Sequence, residues 1–146
     1  MVMRLLTLTK FYTMDILLIE DDTIEVMKLE RTLSKVEAKH AIVKAANGEE
    51  ALKILKSGDK LPDIILLDLN MPMMSGIEFL EIVKDDIVLQ YLPTIILTTS
   101  ENRLDLLRCY QLGIAGYLIK PLKYEDYESK IKKLLEYWSV NQLVKG

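Results

Sequence analysis

The sequence predicts an α/β fold: a doubly wound parallel sheet of five strands with helices on both faces. Three observations carry this. Short runs that are apolar throughout, such as ILLI at 16–19, IILL at 64–67 and TIIL at 94–97, read as strands covered on both sides. Longer amphipathic segments alternate with them. The alternation repeats five times, and right-handed crossovers then leave few ways to connect it.

The elements follow in order. Residues 16–19 give a buried strand, and 23–37 a helix with Ile24, Met27, Leu29, Leu33 and Val36 near helical spacing. Residues 41–45 form a short strand. Asn47 and Glu50 then make a capping-box pattern that opens a helix, and Gly58 stops it. Residues 64–67 are the third strand, ending at Asp68. Ser75 and Glu78 repeat the box before the next helix. The fourth strand, 94–97, runs into Thr98 and Thr99. A helix over 102–112 closes at Gly113, and AGYLIKP supplies the last strand, stopped by Pro121. Residues 124–143 carry Tyr124, Tyr127, Ile131, Leu134, Leu135 and Trp138 as an apolar stripe.

Composition bounds the function. The chain of 146 residues is one domain's worth of core. No apolar stretch approaches the ~20 residues of a membrane helix. A net charge of −3 with scattered lysines argues against direct nucleic-acid binding. The single cysteine, Cys109, reads as a small buried side chain and fits a cytoplasmic protein. His40 has no metal-ligand companion and reads as a surface residue. Residues 1–13 stand outside the alternation. They read as an N-terminal extension, disordered or not native, with Met14 as the functional start and residues 14–146 as the domain.

The polar residues fall where an open parallel sheet binds ligands, beyond the carboxyl ends of its strands. Glu20, Asp21 and Asp22 follow the first strand, Asp68 the third, Thr98 the fourth and Lys120 the fifth. Adjacent carboxylates repel, and a bound cation offsets that cost. Glu20, Asp21 and Asp68 offer the hard oxygens that Mg²⁺ takes. Asp22 reads as the helix cap, with Glu25 completing its box. Next to Mg²⁺ and Lys120, Asp68 can attack phosphorus, while the Thr98 hydroxyl donates to a phosphoryl oxygen. Each acid taken alone is equally readable as a cap, and Thr98 as a turn residue. The matched set of acids, hydroxyl and lysine is what favours a site.

The segments LLIEDD, IILLDLNMPMMSG, IILTTSE and GYLIKP, in this order and spacing, resemble the receiver domain of two-component response regulators. LTTSE and LLEYWSV resemble the regulators of cyanobacterial phytochromes. The resemblance implies a flavodoxin-like sheet of order 2-1-3-4-5. It implies Asp68 as phosphoacceptor and metal ligand, Asp21 as direct Mg²⁺ ligand, Glu20 holding the ion through water, and the Asn70 backbone carbonyl as a third protein ligand. Thr98 and Tyr117 become switch residues, Asn70 and Ser100 tune the phosphate lifetime, and Lys120–Pro121 becomes a cis peptide. The implied donor is a sensor histidine kinase, phytochrome-like, or a phosphotransfer protein.

The expected function is therefore a single-domain phosphorelay switch. It is not an enzyme beyond its own Mg²⁺-dependent phosphoryl transfer and dephosphorylation. Its output is contact with a downstream protein, and the face formed by 102–143 suits a homodimer. Two alternatives remain open. One is an aspartyl-phosphate phosphatase, which commonly carries an acid where Asn70 stands. The other is a scaffold of the same fold that takes no phosphate.

Overall fold

The computed structural model describes residues 13–144, so all of the expected 1–13 extension except Thr13 lies outside the described residues. Five parallel strands, β1 (Asp15–Ile19), β2 (Ala41–Ala45), β3 (Ile64–Leu67), β4 (Thr94–Thr98) and β5 (Gly116–Ile119), form one sheet of order β2-β1-β3-β4-β5. The helices are α1 (Thr23–Ser34), α2 (Gly48–Leu55), α3 (Gly76–Asp85), α4 (Arg103–Gln111) and α5 (Tyr124–Ser139). A 3₁₀ turn over Leu89–Tyr91 was not foreseen.

Alternation along the strands divides the core in two. Leu17, Ile19, Ile65, Leu67 and Ile96 join Phe79, Leu80, Val83 and Cys109 on the α2–α3–α4 face. Ile16, Leu18, Ile64, Leu66, Ile95 and Leu97 join Leu29, Tyr127, Ile131 and Leu135 on the α1–α5 face. Successive side chains of a strand point to opposite faces, so only the inner strands need be apolar throughout. The edge strand β2 is accordingly open, with Val43 and Lys44 exposed, and β5 is half-buried.

Local chemistry sets the helix ends. Ser75 Oγ accepts the Glu78 N–H at 3.2 Å, and Asn47 Oδ1 accepts that of Glu50 at 2.9 Å. Glu50 returns its bond to the Ala46 N–H rather than to the cap residue. Gly113, at φ 82°, ends α4 with Ile114 N–H donating back to the Cys109 carbonyl, an arrangement that a residue without Cβ adopts at little cost. Two helices stop earlier than their apolar spacing suggested. Helix α1 closes at Lys35, and α5 ends at Ser139, before Leu143.

His40 is half-buried rather than on the surface. Its Nδ1 accepts the Met14 N–H at 3.0 Å, and burial lowers its pKa. No peptide among the described residues is cis, so Lys120–Pro121 is trans, against expectation. The trans isomer is intrinsically favoured, and Lys120 reaches the acid cluster with it.

Candidate functional site

The sheet order reverses direction between β1 and β3, which opens a crevice beyond their carboxyl ends. Backbone ladders run past the last strand residues there. Glu20 N–H donates to the Ala45 carbonyl at 3.0 Å, Asp68 N–H to Ile19 at 3.0 Å, and Lys120 N–H to Thr98 at 2.8 Å. These bonds fix the backbone from which each polar side chain departs.

Carboxylate oxygens of Glu20, Asp21 and Asp68 lie within 4.8 Å of one another. Glu20 and Asp68 are buried, and Asp21 is exposed. The Lys120 ammonium joins them, with Nζ 2.5 Å from Glu20 Oε1. Lys120 therefore pairs with Glu20 and not directly with Asp68. The other oxygen of Glu20 accepts the Asp22 N–H at 3.3 Å. Burial pushes the Glu20 carboxyl up to about 7, and the charge of Asp68 adds to this, against the opposing pull of Lys120. Burial also works against the charged form of Lys120. The Glu20 hydrogen bond and the charges of Glu20, Asp68 and Glu25 outweigh it, and hold the pKa above the usual lysine value.

This arrangement is short of positive charge: three carboxylates share one ammonium. Three clustered hard oxygens, one on an exposed residue and two on buried ones, are a donor set that fits a divalent cation such as Mg²⁺. Asn70, whose carbonyl was the expected further ligand, is exposed two residues past Asp68.

The Thr98 side chain is fully buried, and its Oγ1 accepts the Ser100 N–H at 3.3 Å. That bond uses an oxygen lone pair and leaves the hydroxyl proton available for donation. Ser100 Oγ donates to Asp105 Oδ2 at 2.9 Å, so its hydroxyl ties the β4–α4 loop to the first turn of α4. Tyr117 is half-buried, with its hydroxyl donating to the Ser100 carbonyl at 3.0 Å. The ring thus bridges β5 to the loop that follows Thr98.

Two residues escaped the sequence reading. Asp22 caps α1 as expected, its Oδ1 accepting the Ile24 N–H at 2.9 Å. Glu25 does not complete the box, however. It turns to Lys28 at 3.3 Å and Lys120 at 3.6 Å, and Glu20 takes the Asp22 N–H instead. The second is Gly76, to which the sequence pattern assigns no role. A Cβ there would stand 2.4 Å from the Asp68 carbonyl oxygen and 2.7 Å from Leu69 Cα. Both are backbone atoms, so the bend after Asp68 requires glycine. The SG pair before a helix was the available signal, and its contact with Asp68 is set only by the folded loop.

Among known proteins, the response regulator receiver domain family matches residues 16–132. The chain is 35% identical over 127 residues to the probable methanogenesis regulatory protein FilR2 of Methanothrix harundinacea, spanning 84% of this chain and 82% of FilR2. It is similar to the crystal structure of the phosphorylated cyanobacterial phytochrome response regulator RcpA, with TM-score 0.86 and 29% identity over 91% of this chain and 99% of RcpA. The Mn²⁺-bound form of response regulator Rcp1 is similar at TM-score 0.83 and 28% identity, over 89% and 98% of the two chains; Rcp1 comes from Synechocystis.

Proposed function

The chain belongs to the response regulator receiver family, and from that premise we propose that Asp68 is the residue that takes the phosphoryl group. Proteins of this family are two-component signalling switches that are phosphorylated on aspartate by histidine kinases. They are signalling proteins and not enzymes in the usual sense. The observation that carries the assignment is the meeting of Glu20, Asp21 and Asp68 with Lys120 ion-paired into the same cluster.

In the proposed reaction, an Asp68 carboxylate oxygen attacks the phosphorus of a phosphohistidine in line. The new O–P bond forms as the N–P bond breaks, and the imidazole nitrogen leaves with the electron pair. Asp21, Asp68 and the Asn70 carbonyl would hold Mg²⁺ directly, and Glu20 through water. The ion, when bound, supplies positive charge to the phosphoryl oxygens. Burial of Asp68 keeps bulk water from screening the charges around it. Lys120 leaves Glu20 and pairs with the phosphoryl group, while the Thr98 hydroxyl donates to another of its oxygens. Thr98 moves with that bond, Tyr117 turns into the space it vacates, and the Tyr117–Ser100 bond breaks. The surface of α4, β5 and α5 then changes. Asn70 and Ser100 stand at the positions that, by the family resemblance, set how long the acyl phosphate survives.

The proposed donor is a phytochrome-like sensor histidine kinase or a phosphotransfer protein, in keeping with the phytochrome regulators RcpA and AtBRR among the similar structures. A downstream protein reads the switched face. A homodimer through the 102–143 face is the proposed assembly, supported by exposed Leu104, Leu107 and Tyr110 on α4 and Tyr137 on α5. The cytoplasm is the proposed location; among the described residues no helix is long and apolar enough to cross a membrane.

The experiment is incubation with Mg²⁺ and acetyl phosphate, read by intact mass. A single phosphoryl adduct, absent in Asp68→Ala, supports the switch. Rapid turnover of many phosphate esters would favour a phosphatase instead, and a folded protein with no adduct a scaffold.

A further inference from the structure

Lys120 has a second carboxylate beside it that lies outside the acid cluster. Glu25 Oε2 sits 3.6 Å from Lys120 Nζ, is shielded from solvent, and has no hydrogen-bond partner among the described residues. Its sister oxygen is already committed to Lys28 at 3.3 Å. Lys28 in turn lies over the ring of the buried Tyr127, 4.6 Å from its centroid, which anchors this end of the arrangement on the α1–α5 core. A shielded carboxylate oxygen without a hydrogen bond is drawn toward the ammonium beside it, because that contact offsets part of its lost hydration. The Lys120 ammonium is thus bracketed by Glu20 on the sheet edge and Glu25 on the first turn of α1.

We propose that Glu25 is a positioning residue for Lys120, drawing its ammonium toward α1 and so competing with the phosphoryl group on Asp68. This rests on the reading of Asp68 as phosphoacceptor. Glu20 borders the phosphoryl group and can follow it, whereas Glu25 is fixed by the helix and pulls only one way. Removing its charge frees Lys120 for the activated arrangement.

The test uses beryllofluoride, a phosphoryl mimic, with Mg²⁺. Glu25→Gln keeps the shape and removes the charge, and Glu25→Ala serves as the second variant. Both tighten beryllofluoride binding by about threefold, the size of a partly screened charge pair. In the Lys120→Met background the same change has no effect, because the route through the ammonium is gone. A second measurement needs no anion. The ¹⁵Nζ resonance of Lys120 shifts in Glu25→Gln and its protons exchange faster. Wild-type protein that binds and variants that bind equally well would overturn the proposal alone. An effect that persists without Lys120 would overturn it as well, since it would be a general field effect. Folded wild-type protein that binds no beryllofluoride would remove the phosphoacceptor reading, and this proposal with it.

Discussion

Lys120 and Glu20, 100 positions apart in the chain, form a buried ion pair at the carboxyl edge of the sheet. It keeps the lysine in the site yet off Asp68. Removing one partner strands the other's charge wherever that charge persists. Lys120→Met therefore destabilises the fold by about 3 kcal/mol at pH values above 7, where Glu20 is ionised in the native protein, as measured by urea unfolding. The deficit shrinks at lower pH, because Glu20 can then take a proton. A deficit that grows on acidification would contradict this pairing.

Glu20 makes metal uptake pH-dependent. Burial raises its carboxyl to about 7, above its unfolded value of 4.5. In the ion-free protein its contribution to stability is therefore full below pH 4.5, and is lost as pH rises through 7. A divalent ion competes with that proton. Mg²⁺ affinity should weaken as pH falls below 7, with proton release on binding near neutrality. Calorimetry in buffers of different ionisation enthalpy measures both. Glu20→Gln removes the proton release.

Gly76 couples the phosphoacceptor loop to α3. Gly76→Ala sets a methyl group against the Asp68 carbonyl at 2.4 Å, with only backbone to give way. We expect a loss of about 1–3 kcal/mol in stability, as for other overpacked sites. Slower phosphorylation by acetyl phosphate should accompany it, since the backbone of Asp68 must shift. A variant of normal stability and normal rate would show that the loop adapts.

Cys109 is fully buried, and burial pushes its thiol up to about 11 from an ordinary 9. The native thiol should be inert to a disulfide reagent at neutral pH and react only on unfolding. Its contribution to stability is full below pH 9 and declines as pH rises from there through 11. Rapid labelling of the folded protein would contradict its packing against the α2–α3–α4 core.

The site's outline was legible because parallel topology does the gathering. Once β1, β3, β4 and β5 are parallel, residues following each strand share one edge, whatever their separation in sequence. Glu20, Asp21 and Asp68 could thus be grouped from order alone, and the structure brings their oxygens within 4.8 Å. The direction of each side chain was not legible. Glu25 fits a capping box by spacing, yet Glu20 claims the N–H it would have used, and Lys120 lies within reach instead. The first fact is local to the β1–α1 turn, and the second depends on β5, set apart from β1 by β3 and β4, bringing Lys120 to the same edge. His40 likewise finds its backbone partner, Met14, only across the β1–β2 edge. Local pattern decides which elements form, and tertiary neighbours decide what their polar atoms bind.

The most direct test of the account locates the phosphoryl group. Protein treated with acetyl phosphate, with and without Mg²⁺, is reduced with borohydride, digested and sequenced by mass spectrometry. The account predicts modification at residue 68, dependent on Mg²⁺ and lost in Asp21→Asn. Modification at another residue, or at Asp68 with equal yield in chelator, would contradict it.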